Sequence, residues 1–112
     1  MAQDDMHVLI YKVLAYLYSC MKRGEEPDRT MLQSDGPLFG GVPYRYWSAI
    51  WSQIAERNLV SGIGVKWYDN SRSIILHDPE ITLDGVEFMQ ENSMMRRAYD
   101  LLKAAKDALP FI

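Results

Sequence analysis

Residues 43–77 read PYRYWSAIWSQIAERNLVSGIGVKWYDNSRSIILH, and the spacing of the apolar residues changes within this stretch. In the first half, tryptophan and isoleucine recur every three or four residues, which predicts a helix over residues 43–58. Proline suits the first turn of a helix, and Asn58 can end one in a left-handed conformation. In the second half, apolar residues alternate with other types before the turn-forming run 69–72, and residues 73–77 are a second β-rich run. Residues 60–77 are therefore predicted to form a β-hairpin.

Upstream of this stretch, the apolar spacing predicts a first helix over residues 5–23, which Gly24 can end. Asp28 is a candidate cap for a short helix that continues through residue 32. The run 34–41 holds three glycines and a proline and is predicted to be a loop, with Phe39 as its anchor in the core.

Downstream of the hairpin, further helices are predicted over residues 82–109. Thr82 can cap the first of them, which contains Val86, Phe88 and Met89. The segment 92–93 interrupts the helical pattern, and a last helix with an apolar stripe follows until Pro110.

The order of these elements is a long helix, a short helix, a helix, a hairpin and C-terminal helices. This order predicts a mainly α fold with a small β-hairpin, a winged helix-turn-helix with extra C-terminal helices, as one domain over residues 1–112. Residues 43–58 would be the reading helix, and residues 69–72 would be the tip of the wing. A three-helix bundle that carries an unrelated hairpin is the alternative.

A family resemblance points the same way. Residues 81–89, ITLDGVEFM, are similar to a phrase that follows the wing in many winged-helix proteins. Together with residues 90–92, 98–99 and 105–107, they resemble the C-terminal half of the YjcQ-like family, and the similarity extends over roughly residues 40–109. The resemblance implies a small winged-helix protein of bacteria or their prophages, a family without an assigned biochemical role.

Composition excludes several classes of protein. The chain has 112 residues, a formal net charge of -3 and a pI of about 5.3, so it is not a broadly polybasic binder of the histone type. A single cysteine cannot form an internal disulfide. The apolar stretch 6–21 is too short for a membrane span and is interrupted by Lys12, and no secretory signal pattern precedes it. We therefore expect a cytoplasmic protein that does not contact a membrane.

No catalytic arrangement can be argued from the residues. Cys20 lies in the apolar part of the first helix, where a small core residue is the simpler interpretation. The two histidines have no metal-ligand spacing, and three carboxylates on one helix, Asp84, Glu87 and Glu91, are typical of a solvated face. The glycine pair 40–41 lacks the strand and the lysine of a phosphate-binding loop. We expect no enzyme activity, no metal and no cofactor.

The charge distribution is more informative. Residues 40–77 contain four basic and two acidic residues, whereas the rest of the chain has eight basic and thirteen acidic residues. Local positive charge on a reading helix and wing favours double-stranded DNA as the partner. The predicted contact residues are Tyr44, Arg45, Ser48, Ser52, Lys66 and Arg72. Arg45 is either a reader of guanine or an ordinary solvated arginine, and one aromatic of the pair Trp67 and Tyr68 should be exposed.

The hypothesis is a small, non-catalytic DNA-binding protein, a regulator or a prophage accessory factor. The alternative is a winged-helix module that binds another protein and not DNA. We also expect a homodimer, because the first helix is apolar nearly all round and the last helix carries a second apolar row.

Overall fold

The computed structural model of the protein describes residues 4–91. Helix α1 spans Met6–Arg23, a one-turn 3-10 helix spans Arg29–Leu32, and helix α2 spans Tyr44–Glu56. Strands β1, Val60–Tyr68, and β2, Ser71–Ile81, form the hairpin, called the wing below, and helix α3 spans Leu83–Glu91. The mainly α fold with a small β-hairpin is confirmed, and the order of elements is that expected of a winged helix-turn-helix. The predicted last helix lies outside the described residues.

Helix α1 begins and ends close to the predicted positions. Lys22 and Arg23 lie in the last turn, where the helix dipole favours cations, and Gly24 closes the helix with a φ of 68°. Apolar residues of α1 are buried on most sides of the helix by the rest of the chain, and its only strongly exposed large apolar side chain is Met21. No helix among residues 4–91 is both long and apolar enough to span a bilayer.

The segment between α1 and α2 is held by side chains at both ends. The Asp28 carboxylate accepts hydrogen bonds from the Thr30 hydroxyl and the Thr30 amide, at 2.7 and 2.9 Å, and these bonds hold the pKa of Asp28 below its usual value. The expected cap is therefore confirmed. Phe39 is buried against the rings of Trp47 and Trp51, which confirms it as the anchor of the loop.

Helix α2 supplies the centre of the core. Trp47, Ile50, Trp51 and Ile54 are buried, and the Trp47 indole N–H donates to the Leu32 carbonyl at 2.9 Å. Asn58 has a φ of 58°, so the predicted left-handed stop is confirmed. Pro43 occupies the position just before the first helical residue and not the first turn itself.

The wing is an antiparallel pair whose inner face continues the core. On this face Ile63, Val65 and Trp67 of β1 lie opposite Leu76, Ile74 and Arg72 of β2. The predicted end of the hairpin at residue 77 is wrong, because β2 continues to Ile81 after a bulge. Residues 77–79 lie there opposite Gly62 alone, and pairing then resumes between Ser61 and Glu80.

The base of the wing is closed by hydrogen bonds of Thr82. Its amide donates to the Leu59 carbonyl at 3.0 Å, and its hydroxyl donates to the Asn58 carbonyl at 2.7 Å. The same hydroxyl accepts the Gly85 amide at 3.0 Å, so Thr82 caps α3 as predicted. The α3 carboxylates Asp84, Glu87 and Glu91 are exposed, in agreement with a solvated face.

Candidate nucleic-acid interface

The first turn of α2 and the tip of the wing meet in a cleft. The Tyr44 hydroxyl donates a hydrogen bond of 2.9 Å to the backbone carbonyl of Arg72, which joins the two elements directly. The cleft beside this bond has a volume of about 560 Å³, within the range of ~300–1,000 Å³ that is usual for ligand sites. We call it the wing-tip cleft. It is lined by Tyr44, Arg45, Ser48, Trp67, Asn70, Ser71 and Arg72.

The charge of the wing-tip cleft is positive. Arg45 is exposed in the first turn of α2, and Arg72 is half-buried on the other side. No carboxylate is among the lining residues, and neither arginine forms an ion pair within residues 4–91. The first turn of α2 contains no acidic residue either. Both guanidinium groups are therefore available to an anionic partner.

Aromatic surface lies beside these cations. The Trp67 side chain is 61% exposed although it belongs to the inner face of the wing, because it lies beyond the end of the core. The Arg72 guanidinium lies 4.8 Å from the centre of the Trp67 ring, a cation–π contact. Tyr44 packs against Trp47 at 5.3 Å between ring centres and is still 52% exposed.

The structure brings together three of the six predicted contact residues in usable form, Tyr44, Arg45 and Arg72. Ser48 lines the floor of the cleft but is only 2% exposed, and its hydroxyl donates to the Arg45 carbonyl at 3.1 Å. The expectation that Ser48 lies on an exposed polar face is therefore wrong, because a small hydroxyl bonded to its own helix can be buried.

The remaining two predicted residues lie away from the cleft. Lys66 is exposed, but it alternates with Trp67 and so points from the outer face of the wing. Ser52 is half-buried, two turns further along α2, and does not line the cleft. The predicted contact residues that share one cleft are thus fewer than six, and they lie at the wing tip and in the first half of α2.

Sequence reasoning missed three residues of the cleft, Trp67, Asn70 and Ser71. The sequence predicted that one of Trp67 and Tyr68 would be exposed, and in the structure both are, at 61% and 60%. The hairpin register could have indicated that Trp67 belongs to the site. A two-residue loop at 69–70 places residues 67 and 72 opposite each other, so the tryptophan and the arginine had to share a face.

Other candidate chemistry is sparse in the described part of the chain. Cys20 is buried and free, as expected of a core residue. A second cleft of about 290 Å³ lies between the end of α1 and the base of the wing, with Glu25, Glu26, Asp78 and Glu80 around it. Residues 4–91 contain no group of three histidine, cysteine or acidic side chains placed to hold a metal ion.

Comparison with known proteins gives one match. A family model described as YjcQ protein matches residues 11–108. No curated protein and no solved structure matches the chain.

Proposed function

The chain belongs to the YjcQ protein family, and from this premise we propose that it is a small, non-catalytic DNA-binding protein of the bacterial cytoplasm. It would act as a regulator or as an accessory factor of a prophage. Membership of this family does not indicate an activity, so the proposal depends on the wing-tip cleft. The observation that supports it best is that Arg45 and Arg72 line one cleft, which has no carboxylate, in a chain of net charge -3.

Electrostatics explains why this observation favours DNA. A protein with more acidic than basic residues repels a polyanion unless its cations are grouped. Grouped cations that neutralise phosphates release condensed counterions, which drives association. Arg45 and Arg72, which form no ion pair within residues 4–91, are such a group at one cleft. Tyr44 and Trp67 add ring surface that can contact a sugar or a base.

A second candidate function is binding of another protein through the same wing. It is favoured by the exposed aromatic side chains on the two faces of the wing tip, Trp67 and Tyr68. Aromatic residues are enriched at the centres of protein interfaces. The salt dependence of DNA binding separates the two functions.

The experiment is fluorescence anisotropy with random-sequence duplex and single-stranded DNA over a series of salt concentrations. Binding should weaken steeply as salt rises, and Arg72→Ala should reduce the slope of log K against log salt by about one unit. Arg29→Ala is the matched control, because Arg29 is exposed on the 3-10 helix and does not line the cleft. Absence of binding to both DNAs at low salt would exclude the proposed function and favour the protein partner.

Arg45 distinguishes reading of bases from contact with phosphates. If its guanidinium pairs with guanine, Arg45→Ala should cost about 1–3 kcal/mol on a preferred site and much less on random DNA. An equal loss on both would assign Arg45 to a phosphate. Arg45→Lys keeps the positive charge but lacks the two parallel N–H donors of a guanidinium. It should therefore bind DNA better than Arg45→Ala only if Arg45 contacts a phosphate.

We also propose a homodimer, which would double the small number of cations offered to one duplex. The burial of α1 within one chain removes α1 as a reason for pairing, because it leaves little apolar surface to cover. The last helix, outside the described residues, remains the candidate contact. Light scattering should give twice the chain mass of 13.0 kDa at micromolar concentration, and a mass of 13.0 kDa throughout would refute the dimer.

A further inference from the structure

We infer that the wing-tip cleft binds an unpaired DNA base stacked on Trp67, so that the protein prefers DNA with a single-stranded end to a regular duplex. This inference rests on the proposed function and narrows its ligand. Three features support it: the hydrogen bond between α2 and the wing, the exposure of Trp67, and the positive charge of the cleft.

The hydrogen bond between Tyr44 and Arg72 limits how a duplex can bind. A helix in the major groove and a wing in the neighbouring minor groove must lie on opposite sides of the sugar–phosphate backbone that separates those grooves. Here the first turn of α2 and the wing tip are joined directly, at 2.9 Å. A backbone cannot pass between two groups at that distance. The two elements therefore offer one concave surface to DNA, and not two separate prongs.

The concave surface has the composition of a stacking site. Trp67 is a large ring with 61% of its side chain exposed, and it lines the cleft together with the half-exposed ring of Tyr44. In a regular duplex the base faces are covered by their neighbours, so exposed rings of this kind meet base faces only where a nucleotide is unpaired. The cleft volume of about 560 Å³ is sufficient for a small ring system.

The charges are placed for the backbone of the same nucleotide. The Arg72 guanidinium lies over one face of the Trp67 ring, 4.8 Å from its centre. A base must therefore stack on the other face or displace the guanidinium, and in either case its sugar and phosphate lie near this cation. Arg45 is on the opposite wall of the cleft, and no lining residue is acidic. The Asn70 and Ser71 side chains at the rim can exchange hydrogen bonds with a base edge. Stacking and charge thus converge on one nucleotide.

The test compares three fluorescein-labelled DNAs that share one duplex. The first is blunt, the second has a short thymidine overhang, and the third has the same overhang made of abasic sugars. The thymidine overhang should bind about tenfold more tightly than the blunt end, and the abasic overhang should lose that gain because it keeps the phosphates without the bases.

Two variants locate the effect. Trp67→Ala should remove the gain from the thymidine overhang, whereas Tyr68→Ala should keep it. Tyr68 is the matched control, because it is equally exposed, adjacent in β1, and on the outer face of the wing. Quenching of tryptophan emission by the overhang is a second readout, and it should disappear in Trp67→Phe, since Trp47 and Trp51 are buried.

The possible failures are distinguishable. Equal binding of the blunt and overhang DNAs, or of the thymidine and abasic overhangs, would overturn the inference and leave the proposed function intact. No binding to any of the three DNAs would overturn both. Loss of the gain in Tyr68→Ala but not in Trp67→Ala would place the contact on the outer face and would also overturn the inference.

Discussion

Arg72 takes part in the wing-tip cleft through two separate groups. Its backbone carbonyl accepts the Tyr44 hydroxyl, and its side chain lies over Trp67. Arg72→Ala removes the cation and leaves the carbonyl in place, so the cleft should keep its shape. Tyr44→Phe does the reverse, because it removes the hydrogen bond and keeps every charge. The two variants therefore separate charge from shape at one site.

Two phenols, one buried and one half-buried, make the stability of the protein sensitive to alkaline pH. Burial raises the pKa of Tyr16, and burial next to the carboxylates Asp4 and Asp5 raises the pKa of Tyr46. The Asp28 amide donates to the Tyr16 oxygen, which alone would favour the phenolate, but burial outweighs this bond. The Tyr46 hydroxyl donates to the Asp4 carbonyl. In both cases the neutral phenol is favoured in the folded protein.

The sign of the pH effect follows from the raised pKa values. The folded state holds these protons more tightly than the unfolded state, whose tyrosine pKa is about 10. The stabilisation is therefore complete below about pH 10 and is lost as the pH rises through the folded pKa values. Urea unfolding should show a free energy of unfolding that falls as the pH rises above about 10. Tyr46→Phe should make this fall shallower.

Tyr68→Phe provides the comparison for that measurement, because Tyr68 is exposed and its hydroxyl has no hydrogen bond within residues 4–91. The alkaline fall in Tyr68→Phe should match that of the unchanged protein. If Tyr46→Phe also gave an unchanged fall, burial of this phenol would not contribute to alkaline unfolding.

At the scale of the element, the wing depends on one glycine at its bulge. Gly62 has a φ of 81°, and a Cβ atom there would lie 2.2 Å from the His77 carbonyl oxygen. Gly64, two residues on, has room for a Cβ atom, with its nearest neighbour at 3.6 Å. The two glycines of the same strand therefore have different roles, the first required by geometry and the second replaceable.

Gly62→Ala should destabilise the protein by at least ~1–2 kcal/mol, the cost of a left-handed conformation for alanine, with the backbone clash in addition. Gly64→Ala should lie within about 0.5 kcal/mol of the unchanged protein. Thermal and urea unfolding measure both. A similar loss of stability in the two variants would mean that the bulge does not require a glycine.

Element boundaries set by local chemistry were predictable from the sequence. Gly24, Asp28, Asn58 and Thr82 each act on backbone groups within a few residues, so their types alone indicate where helices begin and end. The end of β2 was missed because Asp78 and Pro79 resemble strand breakers. Only pairing with β1 across the bulge restores the strand at residues 80–81.

The candidate site was less predictable, since it depends on tertiary packing. Arg45 and Arg72 could be chosen by charge and by position in the expected elements. The burial of Ser48 could not be predicted, because a serine is expected on the polar face of a helix. The docking of the wing tip on the first turn of α2 depends on a hydrogen bond between residues 28 positions apart.

At the scale of the molecule, charge changes along the wing. Its base lies beside an acidic cleft with Glu25, Glu26, Asp78 and Glu80, whereas its tip carries Arg72 and lies next to Arg45 of α2. A polyanion is repelled from the first region and attracted to the second, so this charge distribution would direct the proposed DNA ligand toward the tip. This asymmetry explains how a chain of net charge -3 can present a usable cationic surface.

Local stability also differs between the parts of the molecule. Helix α1 is buried, whereas the wing beyond Val65 is a two-stranded ribbon with exposed residues, tied to α2 by the Tyr44 hydroxyl. Amide hydrogens at the wing tip should therefore exchange faster than those of α1. Tyr44→Phe should speed exchange at the tip, since a hydrogen bond contributes roughly 0.5–1.5 kcal/mol, and should leave α1 unchanged.

Hydrogen exchange followed by mass spectrometry measures this difference. Tyr68→Phe is the matched control for Tyr44→Phe, because it also removes the hydroxyl of an exposed tyrosine. Faster exchange in α1 as well would show that Tyr44 supports the whole fold. Unchanged exchange at the tip would show that the hydrogen bond does not hold the wing.

The bonds of Thr82 to Asn58 and Leu59 have a consequence for how this protein can diverge. They close the loop at the point where the chain leaves α2 and enters α3, so the two strands leave and re-enter the helical scaffold at one place. Mutations that lengthen, shorten or recode the wing near residues 69–70 leave both ends of the scaffold at a fixed separation. Descendants of one ancestor could thus acquire new ligands by exchanging this segment alone, and an engineer could graft a foreign hairpin at the same junction.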